Sequence, residues 1–346
     1  MSISKFKNWE YWPSYMFYVP ILPYAFYLAF KARHFIFFSA TNPAIVHSGN
    51  GSESKYATLQ LIPSEFKPTS IYIKANSSTK NAVEQLYKST IQYPFIIKPD
   101  IGFRGLLVNK ITNEVELRNY LQKHDDINLI IQELITYNNE CGIFYHRLPN
   151  EEFGKITSIT LKKFLSVTGD GISSLKTLIE NDKRAQFYMP LLTDLHKKNF
   201  DLILKKGEEK ILSSIGNHAK GTQFINGNYL ISKKLEHAID TIMKQIPNFY
   251  YGRLDIRYET TEDLLLLKHV KIIELNGIIS EPTHIYDQKN MTYFKALNEL
   301  RKHWQIMFQI ATINHSCFNV KYESFSTFYK SVLQLKKYST LIKSKN

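Results

Sequence analysis

Cysteine is nearly missing: Cys141 and Cys317 are the only two in 346 residues, far apart, with no Cys or His at ligand spacing. That excludes a disulfide scaffold and a cysteine-type zinc site, and it suits a reducing compartment. Acidic side chains are in deficit, 31 against 44 lysines and arginines, which leaves a formal charge of +13. Such an excess favours an anionic partner, whether nucleotide, nucleic acid, acidic substrate or anionic lipid. It does not choose among them. No repeat with a period of about 20 to 50 residues occurs, so solenoids and propellers are excluded. A P-loop, a Gly-x-Gly-x-x-Gly after a strand, a His-Glu-x-x-His and a Gly-x-Ser-x-Gly elbow are all absent. Aromatic residues are scattered, so nucleic-acid recognition has only net charge behind it. What the chain does have is apolar material. Hydrophobic residues make up 44% and charged residues 22%, enough for a core and too apolar for disorder. At roughly 150 residues per domain, the length points to about two compact units.

One stretch lacks charge altogether. Tyr11 to Phe30 is 20 residues without a charged side chain, followed by Lys31, Arg33 and His34. Twenty is long enough to span a bilayer. Pro13, Pro20 and Pro23 break any continuous helix, and tyrosine prefers an interface where one end of its ring stays wet. A secretory signal fits poorly, because prolines interrupt the apolar run and no small-residue cleavage site follows. A segment packed on the fold is the leading reading. An interfacial membrane contact through residues 11–40 comes second and a transmembrane span last.

The remaining pattern alternates short β-branched or aromatic runs with amphipathic stretches, which reads as mixed α and β. A small-polar loop, Ser48 to Ser52, precedes a helix beginning near Ser54. Ile71–Ile73 reads as a strand and Thr79–Lys88 as a helix. Phe95–Lys98 is a strand that Leu106–Asn109 joins as a hairpin, across a loop holding Gly102 and Gly105. Asn113, with Glu116 three residues on, caps a helix running to about Lys123. Leu129–Ile131, Cys141–Tyr145 and one or two strands within Ile156–Val167 follow, the last closed by a Gly169-Asp170-Gly171 turn. A short helix covers Ser173–Glu180, a loop Gly216–Gly227, a helix Lys233–Gln245, and strands Tyr250–Tyr258 and Lys271–Leu275. Phe325–Lys343 reads as a basic amphipathic helix whose lysines face solvent.

Four pieces carry chemistry. Lys98 ends an apolar strand beside Gly102-Phe103-Arg104-Gly105, where a point charge and backbone N–H groups can hold phosphates. Gln132-Glu133-Leu134-Ile135 leaves a buried strand, with Glu140 seven residues after Glu133, and could offer main-chain groups to a base and a carboxylate to a ribose. The third and fourth pieces form the strongest set. Gly252 to Arg257 alternates polar and apolar at period two, so Arg253 and Asp255 share one face. Glu274-Leu275-Asn276 does the same after Ile272-Ile273. If these strands are neighbours, two carboxylates and an amide converge at one end of a sheet with Arg253 beside them. An all-oxygen set of that kind suits Mg²⁺.

The ordered series resembles the ATP-grasp carboxylate–amine ligases, of the D-alanine–D-alanine ligase and cyanophycin-synthetase types, across most of the stretch from Lys55 to Asn276. The resemblance implies an α+β fold of two subdomains that clasp ATP. It divides the chain into an atypical N-terminal region (1–90), a central subdomain (91–140), a C-terminal subdomain with the metal site (141–312) and a basic tail (313–346). Lys55 and Lys98 look like the family's phosphate-contacting lysines. Gly102, Arg104 and Gly105 match its mobile loop, Glu133, Leu134 and Ile135 its adenine hinge, and Glu140 its ribose acid. Arg253 looks like the arginine that meets the transferring phosphoryl group, and Asp255, Glu274 and Asn276 like its metal ligands. Val167–Gly171, with Leu175–Ile179 behind it, and the Asn217–Thr222 loop resemble segments of the cyanophycin-synthetase type. Two departures stand out. Residues 1–50 do not read as the Rossmann-like domain with which the family begins, and Phe103 and Arg104 occupy loop positions usually held by small residues.

The implied reaction is ATP-dependent formation of an amide bond through an acyl phosphate, with Lys98 and Arg253 catalytic. ATP and Mg²⁺ (two ions, replaceable by Mn²⁺) are the implied cofactors, and a small carboxylate and an amine are the implied partners. An amino acid or peptide is the leading substrate class, with Arg147 or His218 as candidate contacts. The rival readings are an ATP-binding phosphotransferase or non-ligating protein, acting on a membrane-associated substrate, and a basic nucleic-acid binder. The expected compartment is the cytoplasm, with a peripheral position at the inner membrane face left open, as is the oligomeric state.

Overall fold

Period-two alternation and helix caps set most element boundaries. In this computed structural model, residues 9–103, 105–213 and 215–345 are described. The chain divides into two units, one running through Thr160 and again from Asn226, the other covering Leu161–Ile225.

The first unit contains a four-stranded antiparallel sheet. It is built from β1 (Ser70–Ile73), β2 (Phe95–Pro99), β3 (Asn109–Ile111) and β4 (Leu129–Glu133), in the order β1-β4-β2-β3. Phe95, Ile97 and Ile131 turn one face into a core with Val83 and Leu86 of the Thr79–Tyr87 helix and Leu117 and Leu121 of the Glu114–Lys123 helix. Ile96 and Lys98 therefore lie on the opposite face. Asn113 does cap its helix: its side chain accepts from the Glu116 N–H at 2.9 Å, while Glu116 accepts from the Thr112 N–H. The hairpin return sits later than the pattern implied. Leu106 and Leu107 form a turn, and the strand begins at Asn109.

The second sheet joins β5 (Asn139–His146), β6 (Lys155–Lys163), β9 (Gln223–Asn226), β10 (Tyr251–Tyr258) and β11 (Val270–Asn276) in the order β11-β10-β5-β6-β9. β6 leads the chain into the second unit and β9 brings it back. The segment Leu134–Asn138 links β4 of one sheet to β5 of the other.

The sequence pattern left a 26-residue helix, Tyr293–Phe318, unassigned. The aromatic N-terminal stretch packs on it. Phe17 and Ile21 meet Ala296 and Leu300, and Leu28, Ala29 and Phe37 surround Ala311. The prolines act as the sequence implied, dividing the stretch into a turn at Tyr15–Tyr18, a short 3-10 segment and a ten-residue helix, Leu22–Lys31. Among the described residues no helix is long and apolar enough to cross a membrane.

The second unit is built around β7 (Leu165–Thr168) and β8 (Glu209–Ser213), with helices at Leu175–Asn181 and Met189–His196. Its own core comprises Leu165, Val167, Leu175, Ile179, Leu192, Leu204 and Leu212.

Candidate functional site

The ladder between β10 and β11 decides which side chains share a face. Asp255 is the Cα partner of Glu274 and Arg253 that of Asn276, while Leu254 opposite Leu275 faces the other way. A register shift after Asp255, where Ile256 pairs with Ile272, lets β11 bulge beside Glu274. The close strand approach depends on Gly252, since a Cβ there would lie 2.1 Å from the Asn276 carbonyl oxygen. So Arg253, Asp255, Glu274 and Asn276 stand on one face, as their alternation implied.

Two lysines come to this face from the other sheet's side of the unit. Lys55 opens the Lys55–Gln60 helix, which Ser54 caps by accepting from the Ala57 N–H at 3.0 Å. Its ammonium is ion-paired with Glu274. Asp100, just past β2, fixes that helix end. Its Oδ1 accepts from Ser54 Oγ and from the Tyr56 N–H, both at 2.9 Å, and its carbonyl accepts from the Lys55 N–H at 3.0 Å. Lys98 projects from the half-buried face of β2 and donates to Gln132 Oε1 at 3.0 Å. Gly102 lies beneath the Lys55 stem, where a Cβ would come 2.5 Å from Cε.

The charges lie close together and are partly desolvated. Burial pulls the Lys98 ammonium down to about 8, with Lys55 adding to the fall and Glu274 resisting it. For Lys55 burial acts in the same direction, but the Glu274 carboxylate outweighs it and the net shift is upward. Glu274 ends below the ordinary range because Lys55 outweighs burial and the nearby Asp255 charge. Arg253 grips Asp255 with two donors, Nε to Oδ1 at 2.8 Å and Nη2 to Oδ2 at 3.1 Å, and its Nη1 donates to the Glu281 carbonyl at 3.2 Å. Each candidate metal-binding carboxylate is thus paired with one candidate phosphate-binding cation.

The other expected residues fall around this core. Glu140, buried on β5, pairs with Arg257 of β10 at 2.9 Å. Glu133 ends β4, its carboxylate accepting from the Thr69 N–H at 3.0 Å, and Leu134 and Ile135 are half-buried in the link between the sheets. Gly105 takes a left-handed conformation, φ 79°. Phe103 packs toward Tyr338 with ring centroids 6.0 Å apart, while Arg104 lies outside the described residues. Arg147 stacks on Tyr250, and His218 belongs to the second unit, where Tyr188 donates to its carbonyl at 3.0 Å.

Three contributors were not singled out in the sequence. Asp100 has the only readable signal, its place just after Lys98-Pro99. Glu53, buried with its carboxylate accepting from the Gly51 N–H at 2.6 Å, feels the charges of Lys55 and Glu274, and burial raises its pKa. Arg257 is the third.

Among the described residues no three His, Cys, Asp or Glu side chains gather as a metal site. The set that fits a hard cation is instead mixed: two carboxylates and the Asn276 amide. One end of that amide, Nδ2, is buried without a hydrogen-bond partner. Which end of an amide is oxygen follows from its bonding, so an oxygen turned to that side would find a cation acceptable and a donor not. The donor chemistry, all oxygen, fits Mg²⁺.

No protein-family model matches the chain, and no curated protein sequence does. Among solved structures the chain is similar to the VanG D-Ala:D-Ser ligase of Enterococcus faecalis. Identity is 14%, coverage is 72% of this chain and 61% of that one, and the TM-score is 0.41. It is also similar to a D-alanine–D-alanine ligase of Bacillus anthracis, at 13% identity, 74% and 68% coverage and TM-score 0.41. A third is a bifunctional glutathione synthetase of Pasteurella multocida, at 15% identity, 74% and 38% coverage and TM-score 0.37. The chain spans about three-fifths of the length of the first of these.

Proposed function

We propose that this chain is an ATP-dependent carboxylate–amine ligase of the ATP-grasp type. The observation that carries the proposal is the meeting of Lys55 and Lys98 with Asp255 and Glu274 on one face, beside Arg253 and Asn276. A triphosphate offers each partner something better than the present pairs. Lys55 and Arg253 would turn to phosphate oxygens, and the released carboxylates of Glu274 and Asp255, with the Asn276 amide, would hold Mg²⁺. When bound, that ion supplies positive charge next to the phosphate oxygens.

The residues of the chain do the rest by position and charge. Lys98, already short of water, gains most from a nearby anion, because desolvation has weakened its charged form. Glu140, held by Arg257, would accept from a ribose hydroxyl, and the Glu133–Ile135 link would meet a purine edge. In the reaction a substrate carboxylate oxygen bonds to the γ-phosphorus as the bond to ADP breaks. Arg253 stabilises the charge spread over the transferring group. An amine then bonds to the acyl carbon and inorganic phosphate leaves with the carbon–oxygen bond pair. An amino acid or short peptide is the substrate class we favour.

The test is an ADP-release screen across amino acids and peptides, with mass spectrometry of the products. A condensed product one water lighter than its two substrates, made with one ADP per bond, supports the ligase. ADP release with a stable phosphorylated product and no condensation would make the chain a phosphotransferase. No nucleotide turnover or binding with any substrate would remove the proposal.

A further inference from the structure

The N-terminal stretch is apolar on both of its faces. Phe17, Ile21, Ala25 and Leu28 point into the protein. Tyr15, Val19, Leu22, Phe26 and Phe30 recur at helical spacing on the other side and are exposed, Phe26 at 58% and Phe30 at 83%. A helix apolar all round is normally covered all round, and here only one side is. Phe35, 70% exposed, extends the surface past the helix end. Singly exposed apolar residues need no explanation; a contiguous aromatic stripe does.

Charge indicates what covers it. No acidic residue occurs from Tyr11 to Ser52, whereas Lys31 ends the helix and Arg33 and His34 follow it. The basic Phe325–Ser344 helix begins beside this segment, with Phe38 against Phe328 at 5.3 Å and His34 against Tyr322 at 4.9 Å. That helix carries Lys330, Lys336, Lys337 and Lys343 and no acid. A second copy of a chain with charge +13 would set like charges together across the contact. An anionic lipid surface supplies the opposite charge together with an apolar layer.

We propose that this face seats on an anionic bilayer surface, with the Leu22–Lys31 helix lying in the interfacial plane. Ten residues make about 15 Å of helix, half the thickness of the hydrocarbon core, so it lies flat rather than spans. Tyr and Phe take the headgroup level and Lys31 and Arg33 meet the lipid phosphates. The same stretch reaches the candidate site, because the Tyr18 hydroxyl donates to Glu281, whose carbonyl holds Arg253. Lipid binding requires no turnover, so it stands or falls independently of the proposed reaction.

The test is flotation of the full-length protein with phosphatidylcholine vesicles, with and without phosphatidylserine. Two variants are compared, Phe26→Ser with Phe30→Ser, and Lys31→Gln with Arg33→Gln; circular dichroism and melting confirm that each is folded. The wild type is expected to float with the anionic vesicles only, and less so in high salt. The serine variant should lose at least about tenfold in partitioning. The glutamine variant should lose about fivefold per charge removed. Failure to float with either vesicle, or flotation untouched by the serine substitutions, overturns the proposal. So does a dimer in sedimentation that those substitutions dissolve while vesicle binding is absent; that result would assign the face to a second copy.

Discussion

Asp255 on β10 and Glu274 on β11 are direct partners in one antiparallel ladder, yet each is neutralised by a different cation, Arg253 for the first and Lys55 for the second. Two carboxylates side by side repel, and burial adds to the cost. The fold meets that cost with one cation from the same strand, Arg253 two residues before Asp255, and one from a distant part of the sequence, Lys55. In the proposed reaction the same cations have a second task, and the functional predictions below follow from moving them.

Gly102→Ala places a methyl group where the Lys55 stem now runs. The obstacle is the flexible end of a side chain, but moving it loosens the Lys55–Glu274 pair, so a loss of about 1 kcal/mol in stability is expected. Nucleotide affinity, read by calorimetry, should fall about tenfold as Lys55 is displaced. Unaltered affinity would show that this path over Gly102 does not matter to binding.

Asp100→Ala removes two acceptor bonds from the start of the Lys55–Gln60 helix. A loss of about 1–3 kcal/mol is expected from denaturant unfolding, along with weaker nucleotide binding. Asp100→Asn, which keeps one acceptor oxygen, should recover part of both. If nucleotide affinity survives the alanine change, Asp100 has no part in positioning Lys55.

Much of this arrangement was legible in the sequence, and its limits have physical causes. Caps at Ser54 and Asn113 are local hydrogen bonds between residues three apart, so the residue order alone announces them. The shared face of Arg253, Asp255, Glu274 and Asn276 follows from alternation once β10 and β11 are neighbours. The long Tyr293–Phe318 helix was hidden because its buried seam includes His303 and Asn314, which dilute the apolar stripe. β3 was displaced because its first residues, Asn109 and Lys110, are polar and exposed, whereas Leu107, which looked like strand, is buried in a turn that accepts from the Tyr120 hydroxyl at 2.6 Å. Asp100 acts across 46 positions on Ser54, a contact that no local pattern encodes.

Stability should fall in mild acid, and His303 is one source. Burial, helped by His284, His146 and Lys302, lowers its pKa from 6.5 to about 3, and its Nδ1 faces the Tyr251 hydroxyl at 2.9 Å. Between those two values the unfolded chain holds a proton that the folded one refuses. The stabilisation from a neutral His303 is therefore complete above the unfolded pKa and is lost as pH falls toward the folded one. The slope is up to about 1.4 kcal/mol per pH unit. His303→Asn should flatten the dependence of unfolding free energy between about pH 6 and about pH 4 by up to one proton. An identical slope in the variant would show that His303 is not the group responsible.

Removing one metal-side carboxylate should sharply reduce turnover and leave the fold standing. For Asp255→Asn or Glu274→Gln the loss is ~3 kcal/mol, on the order of a hundredfold in rate, read as substrate-dependent ADP release. Full turnover in either variant refutes the assignment of that residue.

The most direct test is crystallographic: anomalous scattering from Mn²⁺ in crystals grown with a non-hydrolysable ATP analogue. The account predicts a manganese peak coordinated by oxygens of Asp255, Glu274 and Asn276 and by the triphosphate, with Lys55 and Arg253 turned from their carboxylates to phosphate oxygens. A nucleotide bound elsewhere, or manganese absent from these three side chains while both ion pairs stay closed, would contradict it.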